Sequence, residues 1–452
     1  MKKIKLLLKM IRQIFSIIIS FIVNSFIFIY RKINYLFSIP YLIGHRFKYF
    51  FKETNDVLRE AFIALLICAI GDLFAGIIIG NMTSFLAAFP GLLVIIPGAI
   101  GMRGNIFGAL GSRLATNLHI GLLSPPKFKR SKILSENILS SLILTMILSI
   151  FLAFLAKGIC IIFGFESISL VDFTLISLFA GVISSVIMLP LTMLISLKSF
   201  ENGWDPDNIS TPVIAAFGDL FTLPAIILAV ILVSFLSSVI LKYSVFIFII
   251  LIAILSFIYG IKAGGGEMKK ILKQSTPVLL VCSFLGVTAG GFLNNSINTL
   301  LKNPSLLTLV PLFSGESGNL VSILGARLSS ALHSGLISPV LKPEKITIRN
   351  FSIIIFLAII IYPIIGLLAE LSSKLLNIPG LGFIPIIGIS TIAGILLISV
   401  MLLIVFLISS LSYKNGLDPD NIVIPISTSV TDSLSSLTLI SISIMILSLL
   451  NL

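Results

Sequence analysis

Pro97–Pro125 reads PGAIGMRGNIFGALGSRLATNLHIGLLSP, and Pro311–Pro339 reads PLFSGESGNLVSILGARLSSALHSGLISP. Without a gap the two stretches agree at 14 of 29 positions. The identities include Gly104/Gly318, Asn105/Asn319, Arg113/Arg327 and His119/His333, all at one constant offset along the chain. A second duplicated run ends in an aspartate: GWDPDNISTPVIAAFGD closes at Asp219 and GLDPDNIVIPISTSVTD at Asp432, with the offset shortened by a single position. One membrane module present twice points to a transport pathway where the copies meet.

Hydrophobic residues make up 57% of the chain and charged residues 11%, against roughly 45–50% and 25% in soluble domains. Long apolar runs recur from Ala61 to the C-terminus, so the chain reads as an all-α polytopic integral membrane protein. Spans are expected near 61–80, 90–121, 134–163, 170–198, 209–236, 241–261, 276–294, 304–335, 349–376, 383–411 and 422–450. The net charge of +13 sits in short loops and at the N-terminus, where it attracts anionic lipid and sets topology rather than binding nucleic acid. No small-residue cleavage site follows the N-terminal apolar stretch, so a removed signal peptide is not expected. Cys68, Cys160 and Cys282 lack paired spacing and read as packing thiols.

Basic residues crowd the loops at Lys127–Lys132, Lys198–Asn208, Lys262–Lys273, Lys342–Arg349 and Lys414–Asn421, while the alternate loops carry almost none. Positive charge marks the cytoplasmic side, which puts the N-terminus inside the cell and the C-terminus outside. Each copy supplies five spans, an odd number, so direct fusion would invert the second copy. The extra span at Val245–Ile261 restores parity. The expected plan is therefore two parallel five-helix repeats joined by one linker helix, a single-chain pseudo-dimer whose two-fold axis lies along the membrane normal. Residues 61–237 form the first repeat, 238–275 the linker helix and its cytoplasmic loop, and 276–452 the second repeat. In residues 1–60, Lys5, Lys9, Arg12, Gln13, Ser16, Ser20 and Asn24 make a narrow polar stripe, as on a basic interfacial helix. Ile14–Tyr30 is also long enough to span.

Asp219 and Asp432 each fall about ten residues into a span, near mid-bilayer. A carboxylate there costs roughly 2.5–3.5 kcal/mol and faces a bundle interior or wet cavity. Brought together, the pair favours a doubly charged guest. A carboxylate about 4 Å from a divalent ion gains a gross ~8 kcal/mol at an effective dielectric of 20, against ~4 for a monovalent one. Oxygen ligands suit Mg²⁺ or Ca²⁺, and Mg²⁺ sheds water reluctantly, so a wide site for the hydrated ion is expected.

Asn105 and Asn319 can coordinate the ion or its water; equally, Gly104 and Gly318 can serve close helix packing. Pro97 and Pro311 are expected to kink these spans. Arg113 and Arg327 read as structural, and His119 and His333 lie toward the cytoplasmic mouth. The aspartates of the two Asp-Pro-Asp-Asn runs (Asp205, Asp207, Asp418 and Asp420) cap helices and can concentrate cations, with Trp204 anchoring nearby. Thr211, Ala215 and Thr428 are secondary candidates on the fifth spans. The copies also differ. Met102-Arg103 aligns with Glu316-Ser317, which suggests an Arg103–Glu316 pair, and Asp72 aligns with Gly286. Asp72 reads either as a proton or sodium site or as a partner for Arg103.

These motifs resemble the membrane domain of MgtE-type magnesium channels and, more closely, the solute carrier family 41 transporters, which hold two such domains. The residues that carry the resemblance are Gly104–Thr116, Gly318–Ser330 and the two DPDN runs with their later aspartates. It implies Mg²⁺ transport with Asp219 and Asp432 as the central ion-binding residues. Mg²⁺ is then cargo rather than a cofactor, and no organic cofactor is expected. Two transport readings stand, a channel or transporter for hydrated Mg²⁺ and an exchanger coupling divalent efflux to Na⁺ or H⁺. An enzyme is not expected, because no His/Glu metal motif, Ser/His pairing or nucleotide loop appears.

Overall fold

The computed structural model describes residues 40–119, 121–123, 131–201, 211–236, 238–415 and 419–450. Among them the chain forms α1 (Pro40–Gly80), α2 (Thr83–Ala88), α3 (Leu92–His119), α4 (Lys132–Phe163), α5 (Leu170–Glu201), α6 (Thr211–Phe235), α7 (Val239–Lys262), α8 (Gly266–Asn295), α9 (Ile297–Lys302), α10 (Pro304–His333), α11 (Lys345–Leu375), α12 (Phe383–Lys414) and α13 (Pro419–Leu450). Eleven of these, all but α2 and α9, are long and apolar enough to cross a bilayer. A helix meets its own backbone hydrogen bonds, which is what hydrocarbon requires. Buried hydroxyls follow the same rule: Ser140, Ser141 and Ser409 donate to carbonyls one turn back, at 2.6, 3.0 and 2.8 Å.

Two features were not expected. Helix α1 begins at Pro40 and continues unbroken into the first span, Val57–Gly80; the polar stripe and Ile14–Tyr30 lie outside the described residues. Short helices α2 and α9 separate the first and second spans of each copy, and both start and stop at equivalent positions of the duplication. The repeat therefore extends into the connection. Both second spans also end alike, at His119 and His333, just before Gly121 and Gly335 with φ of 76° and 69°. Pro97 and Pro311 sit within the continuous helices α3 and α10.

The chain divides into two compact units that do not follow the repeat boundary. The larger holds Ile67–Gly318, Tyr362–Gly394 and Ser429–Leu452. In it α3 packs against α4, α5, α6 and α8, whereas the linker α7 touches α4, α5 and α8 and leaves most of its apolar surface outward. The first spans pack on the second spans of the opposite repeat. Gly290 of α8 lies so close to the Val94 carbonyl of α3 that a Cβ would overlap it, and Gly76 of α1 meets the Thr308 carbonyl of α10 in the same way. These two contacts are copies of each other, since Gly76 aligns with Gly290 and Val94 with Thr308. Lipid supplies no hydrophobic drive for helix association, so such backbone approach and the dispersion contacts it allows hold the spans together. The smaller unit, within the described residues, contains parts of α1 and of α10–α13. Phe351 meets Phe406 edge-on with ring centroids 6.1 Å apart, and His333 meets Tyr413 at 5.4 Å.

Gly290→Ala is expected to lower thermal stability in detergent by about 1–3 kcal/mol, because the new methyl has no room. Gly158→Ala, where nothing lies within 4 Å of the added carbon, should be neutral or stabilising by up to about 1 kcal/mol.

Candidate cation site

Asp219 on α6 and Asp432 on α13 both belong to the larger unit and both are partly exposed. Helix α6 reaches Asp219 over a close crossing with α3. A Cβ on Gly218 would lie 3.3 Å from the Gly104 nitrogen, and one on Gly104 would lie 3.7 Å from the Ala215 Cβ. Asp432 is held from two sides. Its Oδ1 accepts a 2.7 Å hydrogen bond from Ser314 of α10, whose hydroxyl in turn accepts from Ser435 at 3.2 Å. Its Oδ2 faces Gly101 of α3, 3.4 Å from where a Cβ would stand. Asp219 lies in the electrostatic field of the Asp432 carboxylate, and no basic side chain pairs with either among the described residues.

Two further carboxylates are more deeply placed. Asp72 is 2% exposed, and its Oδ2 has no hydrogen-bond partner. It rests against the backbone at Gly315 and lies in the fields of Asp219 and Glu316. Glu316 itself is fully buried. Among the described residues, no three His, Cys, Asp or Glu side chains converge as a metal-binding group. Like charges in a poorly solvated interior need a cation or protons among them.

The expected Arg103–Glu316 pair does not form, nor does an Arg103–Asp72 pair. Arg103 instead donates Nη2 to Ser149 of α4 at 3.2 Å and lies against Gly181 of α5. Alignment gives depth in the membrane, but helix rotation decides which neighbour a side chain meets. Asn105 is in the larger unit and Asn319 begins a segment of the smaller one; both are partly exposed. Around Gly318 there is open space, unlike Gly104. Thr428, in the smaller unit, returns its hydroxyl to the Ile424 carbonyl at 2.9 Å. Asp205, Asp207, Trp204 and Asp418, and the side chains of His119, Thr211 and Asp420, lie outside the described residues. The cysteines are free thiols, Cys160 and Cys282 buried and Cys68 partly so.

Arg113 and Arg327 have matching partners. Arg113 Nε donates to Asn137 Oδ1 at 2.8 Å, and Arg327 Nε donates to Asn350 Oδ1 at 2.9 Å. Asn137 and Asn350 share the offset of Asp219 and Asp432 and occupy the same place in the third span of each copy. Sequence reasoning passed over them, although the spacing that matched the fifth-span aspartates would have found them. Ser314 was also missed. It aligns with Ile100, so no repeat signal marked it.

The MgtE family, described as "Divalent cation transporter", matches residues 96–229 and 310–442. Solute carrier family 41 member 2 of Homo sapiens is 26% identical over 300 residues, covering 62% of this chain and 50% of that protein. Solute carrier family 41 member 3 of Mus musculus is 26% identical over 294 residues, covering 62% and 58%. The chain thus spans about half the length of the curated relatives it matches first. No solved structure matches it.

A double-mutant cycle on Arg113→Met and Asn137→Leu should give a coupling of about 1 kcal/mol in thermal unfolding in detergent. The cycle on Arg327→Met and Asn350→Leu should give the same within error. Unequal couplings would show that the two bonds are not one duplicated device.

Proposed function

The chain belongs to the MgtE family of divalent cation transporters, and from that premise we propose that it moves hydrated Mg²⁺ across the membrane between Asp219 and Asp432. The observation that carries this reading is the pair of partly exposed fifth-span carboxylates in one unit, Asp219 in the field of Asp432 and, among the described residues, neither with a basic partner. A divalent ion neutralises both at once. Ser314 orients Asp432 by donating to Oδ1, which leaves Oδ2 for the ion's water. Asn105, next to Gly104, offers a neutral amide on the helix that faces Asp432 at Gly101 and packs on Gly218 beside Asp219. The basic loops set the N-terminus on the cytoplasmic side and the C-terminus outside. That topology puts Asp205, Asp207, Asp418 and Asp420 at the cytoplasmic mouth, where they raise the local cation concentration. One chain supplies both halves, and no nucleic-acid partner is required.

Exchange against Na⁺ or H⁺ is a second reading, favoured by Asp72. This carboxylate is buried, unbonded at Oδ2 and present in one repeat only. Mg²⁺ flux that requires an opposing Na⁺ or pH gradient would select it.

In liposomes loaded with a Mg²⁺ indicator, Asp219→Asn and Asp432→Asn should each cut Mg²⁺ flux by at least about tenfold while the protein remains folded, since each removes half of the neutralising charge. Ser314→Ala should cost less, about two- to fivefold, as the loss of one orienting hydrogen bond. Unchanged flux in both aspartate variants would remove the site.

A further inference from the structure

Arg103 is fully buried in the apolar part of α3, and of its guanidinium nitrogens only Nη2 has a hydrogen-bond partner. A charged side chain at this depth is expensive. The second repeat occupies the same place without one. Ser317, Tyr362 and Gly394 are the counterparts of Arg103, Ser149 and Gly181, at the offsets that relate the two copies elsewhere. There the short residue is on the second span and the long one on the third. Ser317 and the Tyr362 hydroxyl are 2.8 Å apart, and the Tyr362 ring covers Gly394. Arg103 in turn covers Gly181, where a Cβ would come within 2.6 Å of Nη2. Both glycines lack a side chain because the slot above each is filled from a neighbouring helix. A neutral pair satisfies that packing, so filling the slot does not by itself call for a cation.

The backbone around Arg103 runs beside the acidic path. Gly101 faces the Asp432 carboxylate, and Gly218, the residue before Asp219, packs on the Arg103 carbonyl carbon, 3.7 Å from its Cβ position. The guanidinium points away, to Ser149 and Gly181, and makes no ion pair with Asp72, Asp219 or Asp432. Any effect of its charge on the path is therefore long-range, and at a given distance a fixed positive charge opposes a divalent cation twice as strongly as a monovalent one.

We propose that Arg103 is a specificity-determining residue: a fixed counter-charge that limits how tightly the acidic path holds a divalent cation, set in a slot that needs only packing. This inference rests on the divalent-cation reading of the Asp219–Asp432 pair.

The test rebuilds the second repeat's solution in the first. Mg²⁺ binding to the purified full chain is measured by calorimetry, with Na⁺ as competitor, for wild type, for R103S/S149Y and for R103M, which keeps the length but not the charge. Both variants should bind Mg²⁺ about tenfold more tightly, whereas the apparent Na⁺ affinity should rise only by about the square root of that, roughly threefold. In liposomes, tighter holding should lower the maximal flux and the half-saturating Mg²⁺ concentration together. Unchanged Mg²⁺ affinity overturns the proposal, and so does an equal change for Mg²⁺ and Na⁺, which would mark a packing effect. Failure of both variants to fold also overturns it, since the charge would then be a requirement of the fold. Loss of Mg²⁺ binding in D219N and D432N upholds the site itself whichever way the Arg103 variants behave; if those two bind Mg²⁺ normally, the site reading fails first.

Discussion

Carboxylates inside a membrane must be compensated, and here the described protein supplies no basic partner for three of them. Asp219, Asp432 and Asp72 share one unit, Asp219 in the field of Asp432 and Asp72 in that of Asp219, while Arg103 in the same unit is turned to Ser149. Leaving charge uncompensated at this depth is unfavourable by several kcal/mol per group. A soluble protein would close such a cluster with lysine or arginine. On the reading proposed above, the balance is left to the transported cation. Ser314 bonds one oxygen of Asp432, and the helix crossing at Gly218 and Gly104 sets the position of α6 beside Asp219.

The surrounding structure repeats its packing contacts but only some of its charges. The Arg–Asn bonds, the short helices α2 and α9, and the Gly76–Thr308 and Gly290–Val94 contacts all recur at the spacing of the repeat. Some other charged positions diverge, Arg103 and Asp72 among them. Lys157 of the first copy aligns with Glu370 of the second, yet both fasten the connection to the fourth span. Lys157 donates to Ser167 and to the Ile168 carbonyl, whereas Glu370 accepts from the Gly382 amide. Two halves within one chain are free to differ in this way, while two identical subunits are not.

Much of this was legible in the chain. Apolar run length gave the spans, because hydrocarbon thickness is a fixed yardstick. Duplication then singled out Asp219 and Asp432, since packing alone gives no reason for an acidic residue to recur at mid-span. Directions were not legible. Arg103 and Glu316 occupy neighbouring positions in the alignment, yet one residue along a helix turns a side chain by about 100°, and Arg103 meets Ser149. Asn137 and Asn350 were hidden among ordinary polar residues near span ends. Their role shows only when the arginine on the neighbouring span is seen to reach them. The short helices escaped notice because six residues are too few for a periodic pattern.

Exchange of first spans has a consequence for biosynthesis. The glycine at 76 finds its seat only at Thr308, in the other half of the polypeptide. At roughly 5–20 residues per second, a ribosome needs on the order of tens of seconds to make the intervening stretch. For that interval α1 is surrounded by lipid or by the insertion machinery rather than by its native neighbour. Until then its own hydrophobicity, and neighbours in its own half such as Ala216 opposite Gly71, must hold it in the bilayer.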